Sequence, residues 1–203
     1  MIDLLNSFIV DPENIENNLN LAIYYHEIDQ TASATSYYLR AAEKTEDDLV
    51  KYLCILRAAM CFTKQGCRNF TVKGLYQHAL AIMPKRPEGY FLLSRFYERE
   101  GNYHDSYLIA SLGEQAIEEF EKLSLDVEYP GMYGILFQKA VSSWWCGLCD
   151  ESRNIFQNLK NNYEMDEIHT QSVDDNLNRL WTTNQNLHSV YSPKLKKKTM
   201  KTL

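Results

Sequence analysis

This sequence is short of the residues that punctuate β structure. Its 203 positions hold 8 Gly and 5 Pro, and apolar side chains nowhere alternate with polar ones over the length of a strand. Sheets and hairpins are not expected. No apolar run approaches the roughly 20 residues of a membrane-spanning helix. Met1 to Val10 carries no basic residue and no apolar stretch of the length a signal peptide needs. The 5 cysteines are an odd count without a repeated spacing, which argues against a secreted disulfide framework and for a reducing compartment. The expected location is cytoplasmic. A net charge of −6 argues against nucleic acid as a partner.

Signatures of chemistry are missing as well. Gly-x-Gly-x-x-Gly, Gly-x-Ser-x-Gly and a Gly-Lys-Ser/Thr phosphate loop are absent. His26, His78, His104, His169 and His188 stand singly, without ligand spacing. Asp126 and Glu128 form an isolated acid pair with no strand beside it, and such pairs are normally solvated. No metal site, cofactor or catalytic residue is expected, and the chain is read as not an enzyme.

What is present is a 45% hydrophobic, 24% charged composition, enough to bury a core, with apolar residues recurring every three or four positions. The chain reads as all-α. Asp11-Pro12-Glu13 resembles a helix start: a capping Asp, Pro in the first turn, an acid at the positive end of the dipole. Pro84 and Pro87 bracket a joint, and Tyr129-Pro130-Gly131 marks another break.

The helices repeat. In Pro87–Ser106, one helix carries Tyr90, Leu93, Ser94 and Tyr97, a turn falls at Gly101, and a second helix carries Ser106, Ala110 and Gly113. This order is similar to the tetratricopeptide repeat, a helix-turn-helix unit of about 34 residues. Leu21, Ala22, Tyr25, Ala34, Tyr38 and Ala41 follow the same order, with Asp29-Gln30 in place of the turn Gly. Ala58, Ala59, Phe62, Val72, Tyr76, Ala79 and Pro84 fit with a turn one residue longer, and Ala140, Ser143, Gly147, Ser152 and Phe156 form a last unit. The resemblance covers roughly residues 14 to 160. It implies a superhelix of about four antiparallel helix pairs. The expected organisation is a repeat array over 1–160, a capping helix within 161–187 that uses Leu177, Leu180 and Trp181, and a basic tail over 188–203. Five lysines between Lys194 and Lys201 read as solvated. The second helix of the third unit is expected to overrun, from about Tyr103 to Glu121.

Small residues have a packing role in such an array. Helix axes approach to about 8–10 Å only where a long side chain does not fill the crossing, and Ala22, Ala59, Ser94 and Ala140 supply that space. Tyr25 and Tyr97 pack beside them, while Gly101 and Gly147 serve the turns. A single unit cannot bury its apolar face, so stacking makes one continuous core.

One stretch points elsewhere. Trp145-Cys146-Gly147-Leu148-Cys149 has the Cys-x-x-Cys spacing of a thiol oxidoreductase. That chemistry needs a strand before the motif and a helix N-terminus at the first Cys. Here helix precedes Cys146, so the favoured reading is two thiols flanking a turn, with redox chemistry as a trailing alternative. Cys54, Cys61 and Cys67 add no second Cys-x-x-Cys, so zinc is not indicated. Cys54 and Cys61, seven apart, read as small buried hydrophobes.

The resemblance also implies a function: binding of a protein or peptide in a groove lined by the first helices. Its groove positions map to Leu19, Ile23, His26 and Glu27, then Leu56, Met60 and Lys64. The third unit contributes Phe91, Arg95, Glu98 and Arg99, and the fourth Phe137, Val141, Trp144 and Trp145. Arginines beside aromatics suit an extended segment with acidic and apolar side chains. Leu19 and Ile23 occupy positions where the family's carboxylate-clamp members carry basic and Asn side chains, so capture of a chaperone C-terminus is not expected. Lys85–Tyr107 and Asp126–Phe156 also resemble helical-repeat modules attached to glycosyltransferases and glycan-pathway methyltransferases. The alternative function is therefore an accessory module of such an enzyme.

Overall fold

The structure, a computed structural model, describes residues 2–66, 68–116 and 122–179. Among the described residues the helices follow in order as α1 (Ile2–Val10), α2 (Ile15–Glu27), α3 (Thr31–Lys44), α4 (Asp48–Gln65), α5 (Asn69–Ile82), α6 (Pro87–Arg99), α7 (Tyr103–Gly113), α8 (Met132–Trp145) and α9 (Cys149–Asn162). Residues 167–179 are helical and are called α10. No strand occurs among the described residues. The helices pair as α2/α3, α4/α5, α6/α7 and α8/α9, and each pair packs on the next.

Side-chain size at the crossings sets this pairing. Ala22, Ala34, Ala59, Ser94, Ser106, Ala140 and Ser152 are all completely buried. In the first pair the small residues are Ala22 on α2 and Ala34 on α3, both in the same buried core. In the third and fourth pairs serine fills the same role and adds a hydrogen bond. Ser106 Oγ donates to the Ser94 carbonyl at 2.9 Å, and Ser152 Oγ donates to the Ala140 carbonyl at 2.7 Å. A buried hydroxyl needs such a partner, because leaving it unsatisfied costs about 1–3 kcal/mol. Ser142 Oγ donates to Ser106 Oγ at 2.7 Å and ties the third pair to the fourth.

The turns repeat too. Asp29 (φ 59°), Gly101 (φ 73°) and Gly147 (φ 81°) each take the left-handed conformation one residue past a helix C-cap. At each, the N–H of the left-handed residue and that of its successor bond back to carbonyls of the last turn. They reach His26 and Tyr25, Glu98 and Tyr97, and Trp144 and Ser143 respectively. This is the paired bonding of a Schellman stop. Asp29 can replace Gly because Asp and Asn are the side chains that best tolerate this region.

Two boundaries differ from those expected. The cap of α2 is Asn14, not Asp11: Asn14 Oδ1 accepts from the Asn17 N–H at 3.0 Å. Asp11 instead belongs to the connection from α1, a helix the sequence reading did not anticipate. Asn17 Nδ2 donates to the carbonyls of Ser7 and Asp11, satisfying the C-terminal end of α1. The helix α7 also ends earlier than expected within the described residues, and 117–121, the end of the expected overrun, lie outside them. α7 stops at Gly113, where a β-carbon would sit 2.6 Å from Tyr90 Cβ. The following N–H groups of Gln115 and Ala116 bond only three residues back, to Leu112 and Gly113, which tightens and ends the helix.

The core has two parts. The larger runs through α2–α7, and Leu123 and Val127 from the α7–α8 connection are buried in it. The smaller joins Leu136, Ala140, Phe156, Leu159 and Val173, with Leu177 packed against them, so α10 covers the last pair. Leu180, Trp181, the lysine-rich tail and Cys67 lie outside the described residues.

Candidate partner-binding groove

The first helix of each pair presents a face to the inside of the stack. On α6, Glu88, Phe91, Arg95, Glu98 and Arg99 share that face by their three- and four-residue spacing. The structure treats its two ends differently. Phe91 is 3% exposed and packs against Tyr129, with ring centroids 5.7 Å apart. Glu88 is buried as well. Its carboxylate takes Arg86 Nη2 at 2.5 Å and Arg86 Nε at 3.1 Å, and it accepts from the Tyr52 hydroxyl at 3.3 Å. Tyr52 in turn accepts the Gly89 N–H at 2.8 Å. Burial, with the Glu88 charge beside it, pushes the Tyr52 hydroxyl's pKa up, so it stays a neutral donor.

The cover over this end is the chain's own α7–α8 connection. Arg57 Nη1 on α4 donates to the Asp126 carbonyl at 2.6 Å, and Arg95 Nη1 meets Glu128 Oε2 at 3.1 Å. Leu123 and Val127 are 8% and 3% exposed. Pro130 ends the crossing against α8, where Gly134 leaves room for it: a β-carbon there would lie 2.5 Å from Pro130 Cγ and 3.0 Å from Phe91 Cε2.

The other end is open. His26, Met60, Thr63, Lys64, Tyr76, Leu92, Arg95, Phe96 and Arg99 line a hollow of about 80 Å³, bounded by Glu128. Its floor is apolar and aromatic and its rim is cationic. Lys64 reaches Asp29 at 3.3 Å across solvent, a pairing worth little when exposed. His26 holds Cys61 Sγ at 3.4 Å from Nδ1 and lies edge-on to Tyr38. Desolvation, then the charges of Arg57 and Lys64, lower the His26 pKa from its usual 6.5 to about 4, so the ring is neutral at pH 7. Burial raises the Cys61 thiol in the same way, so this pair is not an activated nucleophile.

The mapped positions therefore divide. His26, Met60, Lys64, Arg95 and Arg99 come together around the hollow, and Leu19, Ile23 and Glu98 are half-buried nearby on the same helices. Leu56 is fully buried in the core, and Phe91 lies under the connection. Phe137 is taken up at the far end, its ring 5.1 Å from His169 of α10 and 5.8 Å from Phe156. Val141 packs against the same cluster. Trp145 is 61% exposed and stacks on Tyr103 at 5.0 Å, while Trp144 is half-buried. Five lining residues, Thr63, Tyr76, Leu92, Phe96 and Glu128, are not among the mapped groove positions; the helical spacing from Met60, Arg95 and Arg99 points to Thr63, Leu92 and Phe96, while Tyr76 and Glu128 come from α5 and the α7–α8 connection.

The Cys-x-x-Cys stretch sits at a helical turn. Cys146 follows the end of α8, Gly147 makes the left-handed step, and Cys149 begins α9. Burial raises the Cys146 thiol pKa, the reverse of what a disulfide-exchange nucleophile needs. Cys54, fully buried on α4, is pushed up to about 12. No cluster of metal-ligating side chains occurs among the described residues.

No protein-family model matches this sequence, and no curated protein matches it. Solved structures do share its fold. A crystal structure of MamA aligns with a TM-score of 0.61 at 16% identity, over 76% of this chain and 81% of that one. The structure of pilF from Pseudomonas aeruginosa gives 0.62 at 13% identity, over 84% of this chain and 70% of that one. A second MamA structure gives 0.60 at 16% identity, over 80% and 84%. The fold is a tetratricopeptide-like helical-repeat superhelix. Among the described residues no helix is long and apolar enough to cross a membrane.

Proposed function

We propose that this chain is a non-catalytic scaffold that holds an extended segment of a partner protein along the inner face of α2, α4 and α6. The observation that carries this is the open hollow, where Lys64, Arg95 and Arg99 rim a floor of Met60, Leu92 and Phe96. Apolar floor and cationic rim together suit a segment with apolar and acidic side chains. The helical-repeat fold shared with the solved structures supports recognition over turnover. Affinity capture with the wild type and with Lys64→Glu/Arg99→Glu tests the reading. Loss of specific partners from the double variant is expected; identical recovery contradicts it.

The sequence resemblance adds a narrower partner class, a glycosyltransferase or methyltransferase acting on glycans. Its support is the two segments, Lys85–Tyr107 and Asp126–Phe156, that contribute Arg95, Arg99 and Glu128 to this face. Absence of any such enzyme from the captured set removes that class and leaves the groove reading intact. A reducing, cytoplasmic setting is proposed with it, supported by the odd number of cysteines and the lack of a repeated spacing among them.

A further inference from the structure

We infer that Leu123–Glu128 (Leu-Ser-Leu-Asp-Val-Glu) is a resident ligand of the inner face, and that a partner displaces it with a segment of the same chemistry. That segment is extended, carries two apolar side chains four residues apart, and follows them with a carboxylate. The inference rests on the groove reading and specifies its ligand.

Residues 122–131 form neither helix nor strand. Their polar groups are met largely by distant helices: the Asp126 carbonyl by Arg57, 69 positions away, and the Glu128 carboxylate by Arg95, 33 positions away. Leu123 and Val127 enter the same core as α4 and α6. A main-chain carbonyl held by a side chain, with spaced apolar anchors and a terminal charge pair, is how a groove holds a foreign peptide. The occupant is also imperfect. Glu128 adopts φ 59°, a left-handed backbone that a β-carbon disfavours, just before the chain turns into Pro130. Glu128 only borders the hollow where Lys64 and Arg99 stand, and beyond it the connection packs Tyr129 on Phe91 instead of reaching those cations. A separate segment need not make that turn and can continue along the face to both cations. Against this, the tether gives the resident segment an effective concentration on the order of millimolar, so the face is closed until a partner arrives.

The probe is a labelled peptide with the sequence of residues 122–129, titrated into the full chain. The wild type is compared with Leu123→Ser/Val127→Ser/Glu128→Gln, which empties the site. The variant is expected to bind the peptide at least about tenfold tighter than the wild type, and adding Arg57→Met/Arg95→Met is expected to abolish the gain. Equal binding by both proteins, or none by either, overturns the inference. Should the triple variant lose its cooperative melt, hydrogen exchange in the wild type decides: excess peptide is expected to speed exchange of the 122–129 amides, and unchanged exchange overturns the proposal. This peptide's binding is read at Arg57 and Arg95, and partner capture at Lys64 and Arg99, so failure of the open hollow as a partner site reads out separately.

Discussion

The covered and open ends of the inner face are built from the same helical positions and arrive at opposite states. On α6, Phe91 and Arg95 are one helical turn apart. The first is sealed beneath Tyr129, and the second reaches out to Glu128 with its guanidinium 5.8 Å above the Phe91 ring. The difference comes from ten residues of non-helical chain, not from the helices. A groove position in a stacked array is thus apolar core or solvent-facing rim according to what lies over it. Repeat register alone does not tell which.

That contrast can be broken most forcefully at Val127. A carboxylate placed there is buried without a partner, so Val127→Asp is expected to cost about 3 kcal/mol or more in urea unfolding. Thr63→Asp, in the open hollow, is expected to stay within about 0.5 kcal/mol; equal costs would erase the distinction. Gly134→Ala comes next. Its new methyl meets Pro130 and Phe91, and overpacking of this kind costs about 1–3 kcal/mol, readable as a lowered Tm.

A smaller effect marks the boundary between the ends, at His26. Its pKa in the folded chain, about 4, lies below the ordinary 6.5, so the unfolded chain binds the proton more readily. The stability held by neutral His26 is complete above pH 6.5 and is lost as the pH falls toward 4. His26→Gln is expected to flatten unfolding free energy against pH in that window; an unchanged slope counts against a desolvated ring. The smallest change is expected from Glu128→Gln. The Arg95 pair is partly exposed, and such pairs contribute about 0.2–1 kcal/mol. Added salt should shrink the difference between wild type and variant.

The sequence carried the crossings well, because the small residues recur at a helical period and in a fixed order. Ser94 to Ser106 and Ala140 to Ser152 are 12 apart in both cases, and both pairs meet. The turn at Asp29 was legible from its place in the repeat even without glycine. The connection over residues 122–131 was not. It has no periodicity, and its meaning lies in contacts such as Arg57 with Asp126 that join distant parts of the chain. Phe91 and Phe137 likewise have the spacing of a groove, while the chain that covers them comes from elsewhere. The Asn14 cap was hidden by Asp11-Pro12, a stronger local signal that serves the exit from α1 instead.

The central claim is that recognition happens on the inner face. A photo-crosslinking residue at position 63, beside the hollow, tests it against one at position 108, on the exposed side of α7. The account predicts crosslinks from position 63 to partner peptides rich in apolar and acidic residues, and none from position 108. Partner crosslinks from position 108 with none from position 63 would contradict it.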